Sequence, residues 1–222
     1  DPGIWSAAPI NTIIPDAMIR YSRGLVCDFG AAYGLWSYNT SAGWVQLNTV
    51  DPDQVVAADV DGNGKDELVV SFVGYGLYTY EPEGKIWQQI NTVIPEKMLA
   101  VDLDGDRNDE LVISFPGYGL YVFEPEGLIW QQINTVIPDE IIRQGNGIAV
   151  DFGAAYGLWV WSRDGGWQQR DPADPGQMTV LDIDHDGVEE LVVSFGVYGL
   201  YWFDEANDWQ FLNTILPDDM KP

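Results

Sequence analysis

Three stretches of this chain place an oxygen-bearing side chain at positions 1, 3, 5 and 9 of a nine-residue run. They are Asp59-x-Asp61-x-Asn63-x-Lys65-Asp66-Glu67, Asp102-x-Asp104-x-Asp106-x-Asn108-Asp109-Glu110 and Asp182-x-Asp184-x-Asp186-x-Val188-Glu189-Glu190. Side-chain oxygens at positions 1, 3, 5 and 9, with a backbone carbonyl at position 7, wrap a hard divalent cation. Calcium takes six to eight oxygens at about 2.3–2.6 Å, and alternate residues of a tight loop turn the right atoms inward. Magnesium fits less well, because it demands a strict octahedron and gives up water reluctantly. The expected ligands are therefore Asp59, Asp61, Asn63 and Glu67 with the Lys65 carbonyl, Asp102, Asp104, Asp106 and Glu110 with the Asn108 carbonyl, and Asp182, Asp184, Asp186 and Glu190 with the Val188 carbonyl. Without an ion, so many carboxylates in one short loop repel each other. Three copies in one register point to three calcium ions. The acids at position 8, Asp66, Asp109 and Glu189, are expected behind the ligands or facing solvent.

An EF-hand carries its last acid at position 12 and opens a helix. Here the acid at position 9 leads into Leu68-Val69-Val70-Ser71-Phe72, Leu111-Val112-Ile113-Ser114-Phe115 or Leu191-Val192-Val193-Ser194-Phe195. Those are strand sequences, so the loops belong in β-hairpins. The third unit shows the frame: Met98–Asp102, Glu110–Phe115, Gly119–Phe123 and Ile129–Asn134 are short apolar and aromatic runs bounded by Gly, Pro, Asp or Asn. No window sustains a helical period. The pattern Tyr-Gly-Leu-aromatic recurs at Tyr33, Tyr75, Tyr118, Tyr156 and Tyr198, followed by Trp44, Trp87, Trp130, Trp167 and Trp209 at spacings of 43, 43, 37 and 42 residues. A period near 40 built from strands signals a propeller. The expected fold is all-β, a five-bladed β-propeller of four-stranded antiparallel blades. Its repeats run about 18–54, 55–97, 98–140, 141–177 and 178–217 within a single domain spanning 1–222, with 1–17 as an extra terminal strand.

The units are of two kinds. Units one and four replace the acidic loop with Tyr21-Ser22-Arg23-Gly24 and Gln144-Gly145-Asn146-Gly147, and share Asp-Phe-Gly-Ala-Ala-Tyr-Gly-Leu-Trp at Asp28–Trp36 and Asp151–Trp159. A sixth Trp-bearing segment, Trp5 to Thr12, has no obvious unit. Either it closes the ring, or Trp209–Thr214 completes the last blade and leaves it as a docked tail or a strand donated to a neighbouring molecule.

The loops, set between Ala58-Asp59-Val60-Asp61-Gly62 and Gly74-Tyr75-Gly76-Leu77-Tyr78 and followed by Glu67-Leu68-Val69-Val70-Ser71-Phe72, resemble FG-GAP/VCBS repeats. These are the calcium-loop repeats of integrin α-subunit propellers and of many secreted bacterial proteins. The resemblance covers units two, three and five; units one and four lack the loop, and no calcium is carried to them. It implies structural ions and an adhesion, lectin, carbohydrate-active or assembly role. The family usually forms seven or eight blades, against five units here.

Thirty-five Asp and Glu face ten Lys and Arg, a net charge of −25. Such a surface repels phosphate backbones and anionic headgroups, which argues against nucleic-acid and membrane-surface partners. No run of 18 apolar residues provides for membrane insertion. Cys27 is the only cysteine, so no disulfide forms within the chain, and metal ions would staple an exported fold instead. Starting at Asp1, the chain reads as a processed or trimmed form.

No cofactor loop or nucleophile–base pair is evident. The single histidine, His185, falls at position 4 of a calcium loop and should face solvent. Asp28 and Asp151, where other units carry Ser71, Ser114 and Ser194, read as anchors of turns rather than as catalytic acids. The chain is expected not to be an enzyme. Ten Trp, eleven Tyr and eight Phe exceed core needs, and Tyr33, Tyr75, Tyr118, Tyr156 and Tyr198 are candidate ligand-binding residues on an exposed rim. The Trp series reads first as packing between blades. The expected function is an extracellular or cell-surface binding module for carbohydrate or protein ligands. The alternative is a filament or tube subunit that joins copies of itself by strand exchange.

Overall fold

β-branched and aromatic residues in runs of five or six, punctuated by Gly, Pro and Asx turns, form strands throughout the computed structural model, which describes residues 11–205, 208–215 and 220. The first sheet holds β1 (Ala17–Tyr21), β2 (Gly24–Asp28), β3 (Leu35–Asn39) and β4 (Gly43–Asn48). The second holds β5 (Gln54–Ala58), β6 (Glu67–Phe72), β7 (Gly76–Glu81) and β8 (Ile86–Asn91). The third is β9 (Lys97–Val101), β10 (Glu110–Phe115), β11 (Gly119–Glu124) and β12 (Ile129–Asn134). The fourth is β13 (Glu140–Gln144), β14 (Gly147–Asp151), β15 (Leu158–Ser162) and β16 (Gly166–Asp171). The fifth is β17 (Gln177–Leu181), β18 (Glu190–Ser194), β19 (Leu200–Asp204) and β20 (Asp208–Asn213). Each is an antiparallel meander in chain order, the blade of a propeller. One 3-10 turn, Gly196–Tyr198, is the single helical element among the described residues, and none is long and apolar enough to cross a membrane.

The fifth sheet takes its fourth strand from β20, so the C-terminal segment completes it. Of the Trp5–Thr12 segment, Trp5 to Ile10 lies outside the described residues. The chain separates into two compact units, Asp1–Ala57 with Lys65–Thr92, and Ala58–Gly64 with Val93–Pro222.

Burial explains the sequence pattern of each strand type. The second strands β6, β10, β14 and β18 are buried along their whole length. A strand covered on both faces loses the alternation of polar and apolar residues. Fourth strands such as β8 and β12 keep exposed glutamines. In the first unit, Val26 and Leu35 pack with Leu68, Val70 and Phe72. In the second, Val112, Leu120 and Val122 meet Ile148, Val150 and Phe152, while Ala149 and Leu158 meet Leu191 and Val193.

The tryptophans bind each sheet internally, and Trp167 and Trp209 also reach back to the sheet before their own. Trp44, Trp87, Trp130, Trp167 and Trp209 pack against Phe29, Phe72, Phe115, Phe152 and Phe195, with ring centroids 5.2–5.6 Å apart. All five sheets share a bulge between the third and fourth strands, at Leu35/Trp36, Leu77/Tyr78, Leu120/Tyr121, Leu158/Trp159 and Leu200/Tyr201. A bulge takes one residue out of the ladder and leaves its backbone unpaired. In the third and fourth sheets that residue is Ile133 or Arg170. Its carbonyl accepts the indole N–H of the next sheet's tryptophan, Trp167 to Ile133 O at 2.9 Å and Trp209 to Arg170 O at 3.3 Å. The packing role expected of these tryptophans is thus joined by a directional one. Trp167→Phe keeps a ring but removes the donor. A loss of about 1 kcal/mol is expected, measured as a lower denaturant midpoint at unchanged m-value.

Candidate functional site

Each acidic loop joins the first two strands of its sheet and folds on its own carboxylates. In the third sheet, Asp102 accepts the N–H groups of Gly105 and Arg107 at 2.6 and 3.1 Å, Asp104 that of Asp106 at 3.2 Å, and Asp106 that of Asn108 at 2.8 Å. Glu110, buried at the start of β10, closes the loop by accepting the Leu103 N–H at 2.8 Å. The fifth sheet repeats this: Gly187 N–H to Asp182, Asp186 N–H to Asp184, Val188 N–H to Asp186 and Ile183 N–H to Glu190. In the second unit's part of the first loop, Asn63 N–H donates to both Asp59 and Asp61 at 3.0 and 3.1 Å, and Gly64 N–H to Asp59 at 2.8 Å. Lys65 and Glu67 of this loop belong to the first unit, where Glu67 is buried at the head of β6.

Left-handed backbone at positions 4 and 6 curls all three loops inward. Position 4 is Gly62, Gly105 or His185, with φ of 67, 82 and 64°; position 6 is Gly64, Arg107 or Gly187, with φ of 80, 79 and 94°. His185 thus occupies a glycine position and is exposed to solvent, as expected. At Gly62 a Cβ would come within 1.7 Å of Asn108 Oδ1, so any side chain there displaces the Asn108 amide.

The donor set matches a hard cation. The carboxylates of Asp102, Asp104 and Glu110 each bring an oxygen within 4.8 Å of the others, as do those of Asp182, Asp184 and Glu190. Asp182 Oδ1 is buried without a hydrogen-bond partner, an orphan lone pair at position 1 of its loop. Burial, reinforced by Glu124 and Asp104, pushes the Glu110 carboxyl up to about 7 against the Leu103 N–H and Arg163. A buried acid held among other acids is what a bound cation would relieve.

Of the acids at position 8, Glu189 faces solvent as expected, while Asp66 and Asp109 bond to a neighbouring sheet's turn. Asp109 accepts the Asp59 N–H at 3.0 Å and returns its own N–H to the Asp59 carbonyl at 2.7 Å. Asp66 makes a two-way link with Ser22, accepting its N–H and donating its own N–H to the Ser22 hydroxyl oxygen, both at 2.6 Å. These acids tie a loop to the hairpin turn of the preceding sheet. Only Glu189 is solvent-facing.

Where the fourth sheet lacks an acidic loop, a cleft of about 820 Å³ opens. Its floor is the short β13–β14 turn, with Gln144 and Asn146; its walls carry Trp161, Arg163, Gln168 and Phe203; its rims are Asp104 and Asp184 of the flanking loops. Arg163 pairs with Glu124 and lies 3.5 Å from Glu110. Arg170 stacks over Phe203 at 4.5 Å and pairs with Glu205. Sequence reasoning marked the missing loop but not the cleft, since Asp104 and Asp184 meet it from 80 residues apart.

Tyr33, Tyr75, Tyr118, Tyr156 and Tyr198 are all exposed, from 47 to 71%. Each belongs to a different sheet. The first four present a carbonyl that accepts a glutamine amide from the fourth strand: Gln46, Gln89, Gln132 and Gln169. Asp28 and Asp151 anchor their turns as expected, accepting the N–H groups of Gly30 and Gly153 at 2.8 and 2.7 Å. Asp151 also gathers Asp139 and Asp174 within 4.8 Å, a grouping not foreseen. The signal lay in the linkers, where Asp51 and Asp174 stand before proline in place of Ile94 and Ile137.

Burial, with Asp174 and Asp139 nearby, pushes Asp151 up to about 6. A carboxyl whose folded pKa is raised holds its proton better folded than unfolded. Its penalty is absent below about pH 4 and complete once pH exceeds about 6. Asp151→Asn keeps the acceptor for Gly153 and removes the charge. Its melting temperature should exceed that of the parent protein at pH 8, and the gap should close by pH 4. Equal melting at both pH values would refute this.

No protein-family model matches the chain, and no curated protein matches it. Solved structures do. BBS1N, in its complex with ARL6DN, superposes with a TM-score of 0.59 at 14% identity, over 86% of this chain and 64% of that one. The Dos1 propeller gives 0.58 at 13% identity, over 91% and 60%. The extracellular domain of BT4673 from B. thetaiotaomicron gives 0.54 at 17%, over 90% and 26%. This chain spans less than two thirds of the length of each of these three. At such identities the likeness concerns the fold alone: a β-propeller, here of five blades.

Proposed function

We propose that the chain is a calcium-stabilised β-propeller of the FG-GAP/VCBS kind, acting as one domain outside the cell and binding carbohydrate without catalysis. The cleft over the fourth sheet carries this reading. Two carboxylate loops frame it, and its surface combines the amides of Gln144, Asn146 and Gln168 with the rings of Trp161 and Phe203. Aromatic faces suit the C–H faces of a sugar, and amides and carboxylates suit its hydroxyls. Its volume accommodates a short oligosaccharide.

Calcium would be held by Asp102, Asp104, Asp106 and Glu110 with the Asn108 carbonyl, by the same positions from Asp182 to Glu190, and by those from Asp59 to Glu67. The ion would neutralise carboxylates and fix the loops. The chain itself supplies the cleft walls, and Arg163 ties the third sheet's loop-closing Glu110 to the cleft through an ion pair. The acidic surface and the single buried thiol, Cys27, suit an exported protein stapled by metal rather than by disulfides.

Thermal unfolding in calcium and in EDTA, followed by glycan-array binding in both, tests this reading. Calcium at 100-fold above Kd should stabilise the fold by about 2.7 kcal/mol per loop, raising the melting temperature by several degrees per ion. Glycan binding should require calcium and fall in Trp161→Ala. No calcium-dependent shift would remove the metal. A shift without glycan binding would remove the carbohydrate.

A further inference from the structure

The chain departs from its repeat at two places, the linker between the fourth and fifth sheets and one position in the last strand of the fifth. After the fourth strand, the linker reads Asn48-Thr49-Val50, Asn91-Thr92-Val93, Asn134-Thr135-Val136 and Asn213-Thr214-Ile215, but between the fourth and fifth sheets it reads Asp171-Pro172-Ala173. There a smaller side chain leaves space and a carboxylate replaces an amide. On β20, Phe211 stands where the other sheets have Gln46, Gln89, Gln132 and Gln169.

These changes coincide with a second cavity of about 380 Å³, lined by Asp171, Ala173, Phe195, Tyr198, Tyr201 and Trp209. Three of its four rings meet at steep angles. Phe195 meets Tyr201 at 63° and Trp209 at 82°, with centroids 6.0 and 5.2 Å apart. The walls are pinned: the Tyr201 hydroxyl donates to the Tyr198 carbonyl at 3.1 Å, the Trp209 indole to Arg170 O at 3.3 Å, and Phe211 packs on Tyr201 at 5.4 Å. Asp171 is fixed by the Ala173 N–H at 2.7 Å on one oxygen. The nearby guanidinium of Arg170 is engaged over Phe203 and with Glu205.

Four aromatic side chains and one carboxylate in a single lining have a defined preference. The negative ring faces attract a cation held over them. A neutral apolar guest would desolvate the Asp171 carboxylate and bring it no countercharge. A metal ion would find one carboxylate where it needs several oxygens. A bare ammonium has three donors to satisfy, and this lining offers few acceptors. A methylated ammonium needs contact and charge, both of which are present.

We propose that this cavity binds the methylated ammonium group of a small molecule, at a site separate from the cleft over the fourth sheet, with which it shares no lining residue. Choline is the probe, followed by calorimetry and tryptophan fluorescence on the whole chain. Its neutral carbon analogue, with a tert-butyl group in place of trimethylammonium, is the control. Choline should bind saturably and at least about tenfold more tightly than the analogue. Asp171→Asn and Ala173→Val restore residues that the chain carries at the equivalent linker positions. The first should weaken choline about tenfold and the second should abolish its binding, with melting temperatures unchanged. Absence of saturable binding, equal affinity for the neutral analogue, or full affinity in both variants would overturn the proposal.

Discussion

The hydrogen bond from a tryptophan indole to the carbonyl freed by a β-bulge organises this chain. The bulge follows the leucine of each Tyr-Gly-Leu motif, and it takes one fourth-strand residue out of the ladder. An orphan carbonyl inside a packed protein is costly, and Trp167 and Trp209 satisfy two of them from the next sheet. The same rings pack on Phe152 and Phe195. One residue therefore fixes both the interior of its own blade and the spacing to the one before it. At Trp167 and Trp209 that explains a tryptophan where leucine would fill the same core.

With the strands held in this way, the turns between them are free to carry chemistry. In three sheets the first hairpin is an acidic loop wound by left-handed residues, and in two it is a two-residue turn. Long loops bring carboxylates together, and a short turn between two long loops leaves a cleft. The position 8 acids couple these turns, through Asp109 to Asp59 and through Asp66 to Ser22.

Local signals made most of the fold legible in the sequence. The strand ranges read in the third unit match the structure within one residue, because Gly, Pro and Asx punctuate every turn and each strand is short. The acidic loops were equally plain, since their carboxylates lie within nine residues of one another. The cleft was not, because its rims come from different loops. The aromatic cavity needed Asp171, Ala173 and Tyr198 to be brought together from separate segments. The tyrosine rim was exposed as foreseen, yet four of its members serve locally as carbonyl acceptors for glutamines. Duplication hid these differences: a repeat draws attention to what is shared, while the sites arise at single departures from it.

Anomalous scattering from calcium in crystals of the whole chain is the most direct test of the metal loops on which the functional reading depends. Three peaks are expected, one within each of the loops 59–67, 102–110 and 182–190, with none at the turn 144–147. No peak in those loops, or a peak only among Asp139, Asp151 and Asp174, would contradict it.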